Sequence, residues 1–228
     1  MKNLTWVVAT AAIALLTAAP ALSQSTGDSQ AKPQVTRYWL DPEYQRSLVE
    51  YEKKRDALEQ ARALDMVGVK PGMIVGEVGA GNGYFALKIA ERVGPTGTVY
   101  ANDIVENFLT ELRERATERG FSNIKTVLGT ETDPRLPADR MDMVFMVQVF
   151  WHLSSPVEVL DRIAASLKPG AKLVLVESER GKSVHGDRVV EHTRENMLNV
   201  VSRTRFRVER IDTSLPAPAW VVVVLALK

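Results

Sequence analysis

Cysteine is absent from the 228-residue chain, and this absence limits both its covalent chemistry and its possible anchors. Without a thiol there is no disulfide framework, no thiolate metal site and no lipid-modified cysteine. A strong net charge is missing too, because 29 Lys and Arg residues face 28 Asp and Glu residues. A chain with balanced charge has no overall positive potential that would attract the phosphates of a nucleic acid, so we expect no nucleic-acid partner. The hydrophobic fraction of 45% is that of a globular protein with a sizeable core.

The N-terminal stretch, residues 1–23, has Lys2 as its only charged residue and is otherwise mostly apolar. Ala21 and Ser23 place small residues at the two positions that a signal peptidase reads. The pattern predicts a secretory signal peptide that is cleaved after about Ser23, and hence an exported, periplasmic protein. The alternative is an uncleaved anchor, but the apolar stretch is short for a membrane span and Pro20 interrupts it. We therefore expect no stable membrane insertion after cleavage.

Residues 24–40 are predicted to form a flexible leader, because their first part is polar and has no apolar period. The domain then covers residues 41–228 and begins with a helix, for which Asp41 can cap and Pro42 suits the first turn. One stripe of this helix is apolar and contains Tyr44, Leu48, Tyr51 and Leu58. We interpret it as an amphipathic helix lying on the domain, with a lid over a substrate pocket as the alternative.

Beyond Gly72 short apolar runs alternate with amphipathic segments, which predicts an α/β doubly wound domain. Apolar runs without alternation, such as residues 143–147, are typical of a parallel strand that is buried on both faces. The predicted strands cover about 73–78, 98–102, 124–128, 141–149, 171–177, 206–211 and 220–227. The predicted helices cover about 82–93, 105–119, 156–167 and 187–201.

The last two predicted strands are joined by the short link Leu215-Pro216-Ala217-Pro218. A link of this length suits an antiparallel pair and is too short for a helical crossover. We therefore expect a mostly parallel, seven-stranded sheet that ends in a C-terminal antiparallel hairpin.

A glycine-rich loop containing Gly79, Gly81 and Gly83 lies where the first strand turns into the first helix. Glycines there allow a tight turn and let a ligand lie against the backbone at a helix N-terminus. A dinucleotide fingerprint has Gly at relative positions 1, 3 and 6, but the sixth position from Gly79 is Tyr84. No P-loop motif occurs either. What remains is an acidic-x-Gly-x-Gly-x-Gly pattern that begins at Glu77.

At these residues the chain resembles the class I (Rossmann-like) S-adenosylmethionine-dependent methyltransferase superfamily, as an exported, bacterial-type member. The likeness continues through residues 136–144 and 167–177 and covers roughly residues 65–227. It implies S-adenosylmethionine as the cofactor, with Glu77 near the ammonium group. The methionine part of the cofactor would then lie over Gly79, Ala80, Gly81 and Gly83.

Asp103 ends the second predicted strand, 20 residues beyond Gly83. One carboxylate can accept hydrogen bonds from both ribose hydroxyls, and together with the loop this predicts a cofactor role for Asp103 and the adjoining Ile104. Many relatives carry Asp directly after the glycine that follows the third strand, where it accepts from the adenine amine. This chain has Thr130 at that position. Either Thr130 or a nearby acid, Glu131 or Asp133, takes this role, or adenine is held by stacking alone.

Methyl transfer from a sulfonium ion needs the reacting atoms held in line and water excluded, and it needs a general base only when the acceptor must lose a proton. Open α/β sheets bind ligands at the carboxyl ends of their strands, so the segment after the fourth strand should face the methyl group. Gln148 is expected to contact the cofactor there, and His152 is the candidate base. The alternative is a structural histidine. His185 and His192 are predicted to be solvated surface residues.

Several acceptor classes are disfavoured by the segment Gln148-Val149-Phe150-Trp151. Amino-methylating nucleic-acid enzymes carry Asn or Asp followed by two prolines here, and catechol-type enzymes bring several oxygen ligands to Mg²⁺. Neither pattern is present, so we expect no metal and a small-molecule acceptor.

S-adenosylmethionine is made in the cytoplasm, so export favours one alternative, a non-catalytic binder of this molecule or a related nucleoside. A nucleotide-dependent oxidoreductase is disfavoured by the glycine spacing. The sequence does not indicate an oligomeric state.

Overall fold

The structure is a computed structural model, which describes residues 43, 47, 50, 62–179, 181–185, 188–215 and 220–228. Residues 43, 47 and 50 are helical and exposed, as expected for the polar side of the predicted N-terminal helix. The apolar stripe of that helix, the predicted signal peptide, the leader and residues 216–218 of the predicted link lie outside the described residues. Within the described ranges no helix is both long and apolar enough to cross a membrane.

Seven strands form one main sheet with the spatial order β3-β2-β1-β4-β5-β9-β8. Their bounds are Ile74–Val78 (β1), Thr98–Asp103 (β2), Ile124–Leu128 (β3), Met141–Val147 (β4), Leu167–Ser178 (β5), Phe206–Asp212 (β8) and Trp220–Leu227 (β9). The first five strands pair in parallel, whereas β9 is antiparallel to both β5 and β8. The mostly parallel sheet with an antiparallel C-terminal hairpin is therefore confirmed.

Helices cover both faces of this sheet. Their bounds are Arg62–Met66 (α1), Tyr84–Val93 (α2), Glu106–Glu118 (α3), Pro156–Ser166 (α4) and Arg194–Ser202 (α5). One core cluster joins the sheet to α1, α2 and α3, and a second joins it to α4 and α5. Neighbouring residues of β4 belong to opposite clusters, with Phe145 in the first and Met146 in the second. The unbroken apolar run is thus explained by burial on both faces.

The predicted helix over 187–201 is wrong in its first half. Residues Gly181–His185 (β6) and Arg188–His192 (β7) pair as an antiparallel hairpin, and α5 begins only at Arg194. Valines are β-branched and favour strands, and three of them fall in this segment. The helix start is fixed by Thr193, whose side chain accepts a hydrogen bond from the Asn196 backbone N–H.

Two strand bounds also differ from the prediction. Strand β4 ends at Val147 rather than at 149, because Gln148 adopts the left-handed conformation with φ of 57°. Strand β5 begins at Leu167, four residues before the predicted 171, and its pairing with β4 shifts register between Met141 and Met143.

A carboxylate fastens the amino ends of the central strands. Asp142 of β4 accepts a hydrogen bond from the Ile74 backbone N–H of β1 at 2.7 Å. Its other oxygen accepts from Lys168 Nζ of β5 at 2.6 Å. Burial raises the pKa of Asp142, but the bonds from Ile74 and Lys168 outweigh burial and hold this pKa below its ordinary value.

We expect Asp142→Asn to lower the free energy of unfolding by about 1 to 2 kcal/mol at pH 7, since it weakens hydrogen bonds to a charged acceptor. The depressed pKa makes this stability fully present above the unfolded-state pKa of about 3.9, and it is lost as the pH falls through the folded-state value. Urea titrations from pH 7 downward should show the two proteins converging below about pH 4. Asp139→Asn, which alters an exposed carboxylate nearby, is the matched control and should stay within about 0.5 kcal/mol of wild type. A difference for Asp142→Asn that persists at low pH would contradict this role.

Candidate functional site

The glycine loop between β1 and α2 is held by the end of β2. The backbone N–H groups of Gly79 and Ala80 donate to the Asn102 carbonyl oxygen at 2.9 and 2.8 Å. The next N–H, that of Gly81, donates to Asp103 Oδ2 at 2.8 Å. Three consecutive loop amides therefore bind two consecutive residues of β2, and these bonds fix the path of the loop. One of the two residues is Asp103, which is predicted to bind the ribose of the cofactor.

Glycine is required at the three loop positions for different physical reasons. Gly79 has φ of 75°, and a Cβ atom there would overlap the Val149 side chain. Gly83 has φ of 93°, and a Cβ atom there would overlap Leu112 of α3. Gly81 also has a positive φ, of 55°, but a Cβ atom there would meet nothing within 4 Å. Packing therefore excludes side chains at Gly79 and Gly83, whereas Gly81 borders open space that a ligand can occupy.

Asp103 is a buried carboxylate with an exposed fraction of 8%. Its Oδ1 accepts from the Val105 backbone N–H at 3.0 Å, while Oδ2 accepts from Gly81. Burial raises the pKa of Asp103, against the lowering effect of the backbone N–H groups of Gly81, Val105 and Ile104. Each carboxylate oxygen has two lone pairs, so both can accept a further bond from a ligand hydroxyl, which would stabilise the charged form.

An apolar surface adjoins Asp103. Ile104 is 37% exposed, and Leu128 of β3, the register partner of Asp103, is 43% exposed. A carboxylate beside exposed apolar side chains matches the mixed character of a nucleoside, whose ribose is polar and whose base has apolar faces.

Glu77 and Thr130 lie at the same edge of the sheet. Glu77 is the second-last residue of β1, directly before the loop, and is 2% exposed. Thr130 follows β3 and is exposed. Its backbone N–H donates to the Asp133 carbonyl at 2.8 Å, and its Oγ1 accepts from the Asp133 N–H at 3.0 Å. The Thr130 hydroxyl thus stabilises a local turn, and its contact with adenine stays a prediction.

The segment after β4 is held by a residue that the sequence reading did not single out, Glu177. This side chain at the end of β5 is 1% exposed. Its Oε1 accepts from the backbone N–H groups of Val149 at 2.8 Å and Phe150 at 2.7 Å. The backbone N–H of Gln148, at the end of β4, donates to the Val176 carbonyl oxygen at 2.9 Å. An acidic residue directly after an apolar strand run was the available signal in the sequence.

A single turn of 3₁₀ helix, Phe150–His152, follows this segment. His152 is half-buried, and its backbone N–H donates to the Val149 carbonyl at 2.9 Å. The ring of Trp151 is stacked on that of His192, with 5.0 Å between centroids and 5° between planes. The prediction of a solvated His192 is therefore wrong, because the β6–β7 hairpin places it against Trp151. The side chain of His185 lies outside the described residues.

The structure thus brings the predicted cofactor residues and His152 to one edge of the sheet, at the carboxyl ends of β1, β2, β3 and β4. Among the described residues no group of three His, Asp or Glu side chains is arranged to hold a metal ion.

Comparison with known proteins agrees with this geometry. Residues 76–175 match a family model described as a methyltransferase domain. The chain is 35% identical over 114 residues to nocamycin O-methyltransferase of Saccharothrix syringae, which covers 50% of this chain and 41% of that protein. It is 32% identical over 124 residues to the ubiquinone/menaquinone biosynthesis C-methyltransferase UbiE of Bordetella parapertussis, with 53% and 46% covered. The aligned region spans less than half of each of these two relatives.

Among solved structures, a SAM dependent methyltransferase from Aquifex aeolicus has the same fold, with a TM-score of 0.70 and 24% identity. The match covers 82% of this chain and 99% of that one. Fold and loop together define a Rossmann-like domain, a class that binds its ligands at the carboxyl edge of the sheet. Residues 76–175 thus match the methyltransferase-domain family, and the fold is that of solved S-adenosylmethionine-dependent methyltransferases.

The predicted cofactor, S-adenosylmethionine, is confirmed as that of the family. The residues present fit this molecule, since Gly81 borders open space, Asp103 has lone pairs for ribose hydroxyls, and Glu77 is a carboxylate beside the loop. The individual contacts of the predicted cofactor residues stay predictions.

We expect Asp103→Ala to weaken S-adenosylmethionine binding by about 1.5 to 3 kcal/mol, roughly tenfold to a hundredfold, because hydrogen bonds to a charged group are lost. Asp103→Asn is the matched variant: it retains an oxygen for the Gly81 N–H but loses the charge. Isothermal titration gives the affinities, and thermal melts without ligand show how far each variant disturbs the loop. An unchanged dissociation constant in a folded Asp103→Ala protein would remove Asp103 from the cofactor site.

Proposed function

We propose that this protein transfers the methyl group of S-adenosylmethionine to a small-molecule acceptor at the carboxyl edge of the sheet. One observation carries the proposal: Val149 packs against Gly79, so that the segment carrying His152 adjoins the cofactor loop. Cofactor residues and a candidate base are thereby neighbours. This is the arrangement that direct transfer from cofactor to acceptor requires.

The small-molecule class is supported by two further observations. The names of the two sequence relatives describe an O-methyltransferase acting on nocamycin and a C-methyltransferase of quinone biosynthesis. The chain itself has nearly balanced charge, 29 basic against 28 acidic residues, which offers no field for a polyanion.

In the proposed mechanism, S-adenosylmethionine supplies a methyl group that is already activated by its sulfonium. The loop and Asp103 would hold the cofactor, and the segment fixed by Glu177 would line the space next to its methyl group. An imidazole nitrogen of His152 would accept the proton that the acceptor loses as it bonds to the methyl carbon, while the bond from that carbon to sulfur breaks and S-adenosylhomocysteine leaves. Orientation and exclusion of water are the larger contribution, of roughly 7 to 11 kcal/mol in well-aligned systems.

Export to the periplasm is part of the proposal and is supported by the signal-like residues 1–23. Because S-adenosylmethionine is made in the cytoplasm, the same feature favours a second candidate, an exported binder without turnover.

The decisive experiment measures release of S-adenosylhomocysteine by wild type and His152 variants against a panel of phenols and quinols. We expect His152→Ala to lower turnover by about 10²- to 10⁴-fold, while cofactor affinity stays within a few-fold, since proton transfer belongs to the transition state. His152→Gln keeps a hydrogen-bonding side chain without the base and should be as slow. Tight cofactor binding by wild type without any methyl release would favour the binder. Weakened cofactor binding together with lowered thermal stability in His152→Ala would make the histidine structural.

A further inference from the structure

The indole of Trp151 contains a buried hydrogen-bond donor that the fold does not use. Trp151 is 5% exposed, and among the described residues its Nε1 has no hydrogen-bond partner. A buried donor without a partner costs about 1 to 3 kcal/mol, and folded proteins seldom retain one. Such a group is commonly satisfied by an ordered water molecule or by a ligand.

The position of Trp151 favours a ligand. The residue lies between Phe150, whose backbone N–H is bound by Glu177, and His152, the candidate base. It is four positions after Val147, the last residue of β4, and therefore at the edge where the acceptor must meet the cofactor.

The surroundings of the indole ring are aromatic. Phe150 meets it edge to face, with 5.0 Å between centroids and 84° between planes. His192 stacks on it with the rings nearly parallel. Aromatic side chains around a polar donor are suited to a flat, conjugated molecule that carries an oxygen atom.

His192 reaches this place because the β6–β7 hairpin is closed at its base. Gly181 pairs with His192, and beyond them Glu179, the residue directly after β5, binds Arg194 at the start of α5. Glu179 Oε1 accepts from the Arg194 backbone N–H at 2.9 Å, and Oε2 accepts from Arg194 Nη2 at 3.1 Å. The β6–β7 hairpin therefore begins and ends close to the end of β5, and His192 lies against Trp151.

We propose that Trp151 and His192 form a subsite for the methyl acceptor, in which Trp151 Nε1–H donates a hydrogen bond to a carbonyl or hydroxyl oxygen of a conjugated small molecule. The stacked ring of His192 holds the indole in position and encloses that oxygen. This inference rests on the proposed methyl transfer and narrows its acceptor to oxygen-bearing aromatic compounds. His152, the next residue, then acts on the same molecule.

The test follows the indole N–H directly by NMR with ¹⁵N-labelled tryptophan. The chain contains four tryptophans, and Trp151→Phe identifies the Trp151 signal by its loss. The probes are 2-naphthol and 1,4-naphthoquinone, added to the full chain in the presence of S-adenosylhomocysteine. We expect the Trp151 indole proton to shift downfield on titration, and Trp151→Phe to bind the probes about tenfold more weakly with unchanged affinity for S-adenosylhomocysteine.

Two variants control for packing. Trp220→Phe makes the same change at a residue that is 2% exposed and belongs to the opposite core cluster, so it should retain the Trp151 shift. His192→Phe preserves the stacked ring and should also retain the shift, whereas His192→Ala should weaken probe binding.

A Trp151 signal that stays in place with both probes would overturn the subsite and leave the donor to an ordered water. Equal probe affinity in wild type and Trp151→Phe would overturn it as well. Failure of the proposed function is distinguishable, because it appears as absent binding of S-adenosylmethionine or absent methyl release, which titration and the release assay measure on wild type alone.

Discussion

The attachment of the glycine loop to the end of β2 is the constraint on which the rest of the site depends. The carbonyl of Asn102 and the carboxylate of Asp103 bind three successive loop amides. Hydrogen bonds that involve an ionised group contribute about 1.5 to 3 kcal/mol, so the bond from Gly81 to Asp103 is a strong tie of the loop, alongside the bond from Arg115 Nη1 to the Asn82 carbonyl oxygen. A residue predicted to bind the cofactor therefore also shapes the loop that is predicted to lie beneath it.

The segment after β4, which carries His152, depends on the glycine loop through one close contact between Val149 and Gly79. With Gly79 in a positive-φ conformation and without a side chain, Val149 can lie against the loop. Glu177 then fixes Val149 and Phe150 through their backbone N–H groups, and these two hydrogen bonds offset the cost of burying its carboxyl group. Gln148 is consequently turned out of the strand conformation, and the chain enters the 3₁₀ turn that carries Trp151 and His152. Cofactor and acceptor sides are thus coupled by packing.

The sequence predicted best what depends on local pattern. Unbroken apolar runs identified the buried parallel strands, because a strand that is buried on both faces needs apolar residues at every position. Glycine spacing together with an acidic strand end identified the loop between β1 and α2 and its partner at the end of β2. The hairpin before α5 was missed because the strand preference of its valines was outweighed in the prediction by the charged residues around them, and the cap at Thr193 that starts the helix was not recognised. The contact between Trp151 and His192 joins residues far apart in the chain, and no local spacing encodes it. The role of Glu177 could not be predicted for the same reason. The sequence shows an acidic residue at this position, but its two backbone N–H partners belong to the turn that follows the neighbouring strand β4.

The most direct measurement is a crystal structure of the protein with S-adenosylhomocysteine. The account predicts ribose hydroxyls within hydrogen-bonding distance of the Asp103 carboxylate, an adenine against Ile104, and the amino-acid part of the ligand over Gly81 with its ammonium group towards Glu77. A nucleoside bound elsewhere, with Asp103 still bonded only to the amides of Gly81 and Val105, would contradict it.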